Sequence, residues 1–205
     1  MGYKTGSFSV VGDTCTAHNW NWATYTSGSG LRECQNDDCT AKAGIGDTGP
    51  AGGIIFYAKD EEGFTVTGSG SFDANYLEAS TVNQGTALAW ASSGYTITGI
   101  AGTGTAIGTG KANTAAIFAI DTNAPAALAC KNYDGGDKDD WFLPSKDELN
   151  ELCKHRSHFG ISTGNFLSSS QCFATNAWGQ IFANGSQGSH YNKYYGYNVR
   201  AVRAF

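Results

Sequence analysis

One stretch, WFLPSKDELNELCKHR over residues 141–156, marks both ends of a helix, and the rest of the 205-residue chain must be arranged around it. Ser145 and Glu148 stand three apart, the spacing of a capping box, in which each side chain takes a backbone N–H at the other's position. Pro144 and Leu149 occupy the positions of a hydrophobic staple. Leu149, Leu152 and Cys153 fall on one helical face. Asp147 and Glu148 lie in the first turn and Lys154, His155 and Arg156 in the last, as the helix dipole favours. The pattern predicts a helix over about 145–156.

Elsewhere 28 glycines, with many Ser and Thr, break the apolar residues into short runs, which predicts short elements and many turns. GGIIFYAKD reads as a strand, GFTVTG as its hairpin partner and NYLEA as another strand. Residues 84–105 read as loop, with a short strand at YTITG. KANTAAIFAI and APAALACKNY read as helices, the second with Pro125 near its start, where a missing N–H is tolerated. NFLSSSQ, NAWGQIFANG and NVRAVRAF are strand-like pieces separated by polar loops. Strands, then helices, then strands predicts an α+β fold. Residues 1–45, with three cysteines and the NWNW stretch, read as a small separate β unit before a main domain over 46–205. GDTGPAG has glycine at every third position, but two triplets are too few for a triple helix.

Charge and hydropathy bound the partners. The net charge is −5, with no basic footprint for nucleic acid. No run of apolar residues is long enough to span a bilayer, so no membrane insertion is expected. Met1-Gly2 leads straight into a polar segment with no signal-peptide pattern. The even set of six cysteines, without a CxxC pair, favours an oxidising compartment with one disulfide among Cys15, Cys34 and Cys39. Cys130 and Cys153 read as small buried hydrophobes.

Motifs for chemistry are weak. Cys153, His155 and His158 have metal-ligand types, but i and i+2 on a helix face apart. Asp134, Asp137, Asp139 and Asp140 offer oxygens in one loop without the spacing of a calcium hand. GTGTAIGTGK fails the phosphate-loop pattern, and no GxSxG elbow occurs. These readings point to no enzyme, no metal and no cofactor.

The most informative segment is the tail. Residues 183–198 read ANGSQGSHYNKYYGYN, a mixture of Tyr, Ser, Gly, His and Asn. Tyrosine gives wide amphipathic contact with few rotors, and the small polar residues give adaptable hydrogen bonds, as in antibody loops. GDTGPAGGIIFYAKD, GTGKANTAAI, DWFLPSKDELNEL, LSSSQ, NAWGQIF and VRAVRAF together resemble a bacterial domain family. That family is related to the C-terminal domains of collagen-like adhesins and to C-type-lectin-like folds. The resemblance covers about residues 46–205.

The resemblance implies a C-type-lectin-like fold of short twisted sheets with two or three helices. In it the first and last strands, GGIIFYAKD and VRAVRAF, would pair. It also implies a variable protein of a diversity-generating retroelement, in which adenine misreading scatters Asn codons over many residue types. Trp, Lys, Met, Gln and Glu lie outside that set. In residues 183–198 only Gln187 and Lys193 fall outside it. The implied ligand-contact positions, in a variable region of about 165–198, are Cys172, Phe173, Thr175, Gly179, Ile181, Ala183, Ser186, Gly188, Ser189, His190, Tyr191, Tyr194, Tyr195, Gly196 and Tyr197. Trp141, Trp178, Arg200 and Arg203 would be scaffold, with Gln187 and Lys193. Because VRAVRAF does not alternate cleanly, a bulge or a buried arginine bonded to backbone carbonyls is expected there.

The implied partner is a macromolecular surface ligand, a protein or a glycan, met at a cell surface or on a phage particle. A sulfated-glycan adhesin is the alternative, with only Lys193, Arg200 and Arg203 near the tail to serve it. A relation to formylglycine-generating enzymes would rest on Cys172, whose neighbours offer no obvious base.

Overall fold

The computed structural model describes residues 43–59, 63–68, 70–92 and 103–205. The expected N-terminal unit lies almost entirely outside the described residues, as do Cys15, Cys34, Cys39 and the YTITG strand.

Ten strands and three α-helices form a mixed α+β fold among the described residues. The first strands are β1 (Ile54–Ala58), β2 (Phe64–Val66), β3 (Phe72–Ala74), β4 (Tyr76–Ala79) and β5 (Gly85–Leu88). Helices α1 (Gly110–Ile120), α2 (Pro125–Lys131) and α3 (Lys146–Lys154) follow. The chain ends in β6 (Asn165–Phe173), β7 (Asn176–Ile181), β8 (Gln187–Asn192), β9 (Tyr197–Val199) and β10 (Val202–Ala204).

Helix α3 starts as its sequence predicts. The Ser145 side chain accepts from the Glu148 N–H, and the Glu148 carboxylate accepts from the Ser145 N–H at 2.7 Å. Glu148 also receives the N–H groups of Gly108 (2.8 Å) and Gly110 (3.3 Å) at the start of α1. One buried carboxylate therefore caps two helices, and a Cβ on Gly110 would stand 2.2 Å from its oxygen. In α2, Pro125 lies in the first turn as expected.

Three sheets form, in the orders β1-β4-β10, β2-β3 and β5-β9-β6-β7-β8. Early and late strands do share a sheet, but β4 lies between β1 and β10 and bonds both, so the direct pairing of first and last strands is replaced. β2 pairs with β3 rather than with β1. Two strands arise where loop was expected: β5 in the Gly/Thr/Ala-rich stretch and β8 in the tail. Both owe their pairing to neighbours, β9 for one and β7 for the other, more than to their own weak strand propensity.

VRAVRAF is divided. β9 ends at Val199 in the five-stranded sheet, and β10 begins at Val202 in the three-stranded sheet. Between them Arg200 is 4% exposed, its Nη1 donating to Ser80 O at 2.6 Å and its Nε to Asn83 Oδ1 at 3.0 Å. This is the expected buried arginine on a backbone carbonyl, and it sits where the chain passes from one sheet to the other.

The core has two main parts. Trp90, Ile117, Trp141, Leu143, Leu167, Ala177, Tyr191 and Val199 pack between the large sheet and α1 and α2. Phe56, Leu77, Phe142, Leu149, Leu152, Phe166, Phe182 and Val202 pack around α3 and the three-stranded sheet. β6 crosses the middle with three buried serines. Their hydroxyls donate to Trp178 O, Pro144 O and Gly104 O, so a polar strand is accommodated by pairing each group.

Candidate functional site

The tail's strands and turns bring most of the sequence-selected positions to one end of the five-stranded sheet. There β6 and β8 finish and β7 begins, whereas β9 lies beside the start of β6, with Asn198 opposite Phe166. β6 and β7 meet through Phe173 opposite Asn176, and β7 and β8 through Asn176 opposite Asn192. The turns that follow β6 and β8 are therefore neighbours.

Lys193 joins them. Its backbone N–H donates to Thr175 O at 3.0 Å, and its carbonyl accepts from the Ala91 N–H. Its ammonium donates to Gln171 Oε1 at 2.7 Å and to Ala174 O at 3.0 Å. The side chain is 1% exposed and lies against Trp90. Burial pushes its pKa down to about 8, against the weaker opposing influence of Cys172.

Around this strut the exposed groups are aromatic. Phe173 is 63%, Tyr195 66% and Tyr194 40% exposed. Thr175, His190 and Gly196 are exposed, and Cys172, Ser189 and Tyr197 are half-buried, whereas the exposed Ala183 and Ser186 and the half-buried Ile181 lie at the opposite end of β7 and β8. Gly179, Gly188 and Tyr191 are buried instead. Tyr191 is 3% exposed in the core, its ring 4.9 Å from that of Tyr197. Burial raises its phenol pKa to about 12, and its hydroxyl has no hydrogen-bond partner among the described residues. A Cβ on Gly179 would meet that ring at 2.5 Å. These three positions support the surface from beneath.

The scaffold positions are tied down. Trp141 is 3% exposed and donates from Nε1 to Gly135 O at 3.1 Å. Lys146 Nζ lies 4.8 Å from the centre of the half-buried Trp178 ring. Gln187 Nε2 donates to Lys146 O at 3.0 Å, fastening β8 to α3. Arg203 bridges the buried Glu78 carboxylate and Asp140. Burial raises the Glu78 pKa, with Arg203 opposing.

Two further anchors went unnoticed in the sequence, Gln171 and Gln180. Gln171 receives the Lys193 ammonium, and the 1%-exposed Gln180 donates from Nε2 to Asn150 Oδ1 and Gly185 O. Both lie outside the set of residues reachable by adenine misreading of an Asn codon, the signal that already marked Gln187 and Lys193.

The described cysteines are buried or half-buried. Burial pushes the Cys172 thiol up, and its Sγ donates to Ser189 O at 2.9 Å. Cys130 and Cys153 are free and buried, as their reading as small hydrophobes expects. Among the described residues no three His, Cys, Asp or Glu side chains converge as metal ligands. No described helix is long and apolar enough to cross a membrane. In comparisons with known proteins, no family model matches the chain, and no curated protein matches it significantly.

Proposed function

We propose that the chain is a binding protein rather than an enzyme, with a C-type-lectin-like domain over residues 46–205 and a ligand surface diversified by a retroelement. The ligand is a macromolecular surface, met outside the cell or on a phage particle. The observation that carries the reading is a division of labour within the tail. Gln171, Gln180, Gln187 and Lys193, all outside the adenine-misreading set, point their side chains into bonds with the scaffold. Of the positions inside that set, Phe173, Tyr194 and Tyr195 are exposed, and Gly179, Gly188 and Tyr191 are buried. A process that varies exposed aromatic positions and spares the anchoring Gln and Lys residues accounts for the first group and the anchors. The sharing of one sheet by β1, β4 and β10 accords with the lectin-like domain.

The sulfated-glycan alternative loses weight on charge. Of the cations near the tail, Lys193 and Arg200 are buried and Arg203 is paired with Glu78 and Asp140.

The test is the DNA around the gene. A near-copy of the codons for residues 165–205, differing at adenines and lying beside a reverse transcriptase gene, is expected. Tyr and Ser codons unrelated to AAC, with no such copy, would remove the retroelement and leave an ordinary Tyr-rich surface.

A further inference from the structure

The five strands of the large sheet come from stretches of chain without formal charge. From Ala79 to Gly110, and from Ser157 to Asn192, there is no Asp, Glu, Lys or Arg, and β9 has none either. The chain's 13 basic and 18 acidic residues lie elsewhere. The sole charge in the turn between β8 and β9 is Lys193, and its ammonium is turned inward.

At the end of this sheet Phe173, Tyr194 and Tyr195 stand on two turns that Lys193 bonds together. We infer that this aromatic tip is the centre of the contact surface, and that its partner is a protein face uncharged at the point of contact. The inference rests on the reading of the C-terminal sheet as the ligand surface, and it adds where contact centres and what chemistry it meets.

Two arguments lead to it. A partner that pressed a Lys or Asp against the tip would bury that charge with no counter-charge, at a cost of several kcal/mol. An uncharged tip thus rejects charged patches and sulfated chains alike. Small ligands are held in concave sites, whereas these rings are open to solvent. The open cleft of about 550 Å³ lined by Lys154, Arg156 and Ile161 lies towards the other end of β6. Exposed Tyr and Phe on a rigid base suit a protein partner, where large aromatic side chains carry much of the binding energy. Without charge to steer association, binding is insensitive to salt.

The probe is a phage-displayed library of random peptides, selected on the full chain at physiological salt and at about 1 M salt. The expected peptides carry aromatic and small polar residues without Asp, Glu, Lys or Arg, and bind equally at both salts. They bind at least about tenfold more weakly to the double variant Phe173→Ser, Tyr195→Ser. Unfolding of that variant by heat should match the parent, since both side chains are exposed. A charged consensus, loss of binding in salt, or equal binding to the double variant overturns the inference. So does a selection that enriches no tip-dependent peptide. Tip-dependent retention on neutral dextran would assign the surface to a glycan instead of a protein, and salt-sensitive retention on heparin would refute its neutrality. These outcomes are separable from the retroelement reading, which is decided by the DNA.

Discussion

The ammonium of Lys193 stands 4.4 Å from the centre of the Trp90 ring, and both side chains are closed off from solvent. A buried cation on an indole face is favourable, but burial still favours the neutral amine. The folded pKa, about 8, is therefore below the ordinary 10.5. For a base whose pKa falls on folding, stability is lower while the group is protonated and rises as pH climbs from about 8 towards 10.5. The gain approaches ~3 kcal/mol at its limit. Cys172 and Tyr191, whose pKa values burial raises, lower the stability over the same range. The rise is therefore read as a difference: between pH 7 and pH 9.5 the parent should gain stability relative to a Lys193→Met variant, which shares that background, when both are unfolded by denaturant.

Glu148 gives a pH dependence of opposite direction. Burial raises its pKa from 4.5 to about 7, against the N–H groups of Ser145, Gly108 and Gly110. The stability it contributes is full below pH 4.5 and is lost as pH rises through 7. Glu148→Gln keeps an acceptor and should flatten this part of the profile. Glu148→Ala strands buried N–H donors at two helix starts and should cost about 3 kcal/mol or more. Urea unfolding of the three proteins at pH 5 and pH 8 distinguishes these outcomes.

Arg203 and Glu78 form a pair that is costly to halve. Glu78 is 0% exposed and receives the Ala51 and Gly53 N–H groups as well as Arg203 Nη1 at 3.0 Å. Arg203→Ala should cost about 3–5 kcal/mol by leaving that carboxylate unpaired. Adding Glu78→Gln should return part of the loss. A double-mutant cycle measured by equilibrium unfolding tests the coupling.

Beneath the surface, Gly179 and Tyr191 share one space. Gly179→Ser should destabilise by about 1–3 kcal/mol because its Cβ meets the Tyr191 ring. Combining it with Tyr191→Ser should recover part of that particular clash. Tyr191→Phe alone should be neutral or stabilising by about 1 kcal/mol, since the hydroxyl lacks a partner among the described residues. Thermal unfolding of these three variants and of Tyr191→Ser alone tests both relations: simple additivity of the double substitution would show the clash to be wrong, and a destabilised Tyr191→Phe would show the hydroxyl to be paired.

The site was legible where a rule about residue type applied. Gln187 and Lys193 stood out from the tail because they break its composition, and both prove to be anchors. Tyr191 was indistinguishable from Tyr194 and Tyr195 in sequence, yet it belongs to the core and they are exposed. Tyr191 lies in β8 and Tyr194 and Tyr195 in the turn after it, and the strand itself was hidden, because QGSHYN lacks the β-branched residues that announce one. Trp90 could not be tied to Lys193 from sequence, since about a hundred residues of chain separate them and only the sheet brings them together.

Local chemistry alone determined α3: its capping box closes between Ser145 and Glu148, and its apolar face and end charges follow from spacing within the helix. It likewise determined α2's proline start and the α+β order of elements. Tertiary structure alone decided which strands pair. It placed β4 between β1 and β10, paired β2 with β3, and divided the last strand between two sheets at Arg200. The physical reason is range. A helix satisfies its backbone bonds with residues three or four away, whereas a strand takes its partners from any part of the chain. The choice then falls to whichever arrangement buries the aromatic residues and leaves the three serines of β6 hydrogen-bonded.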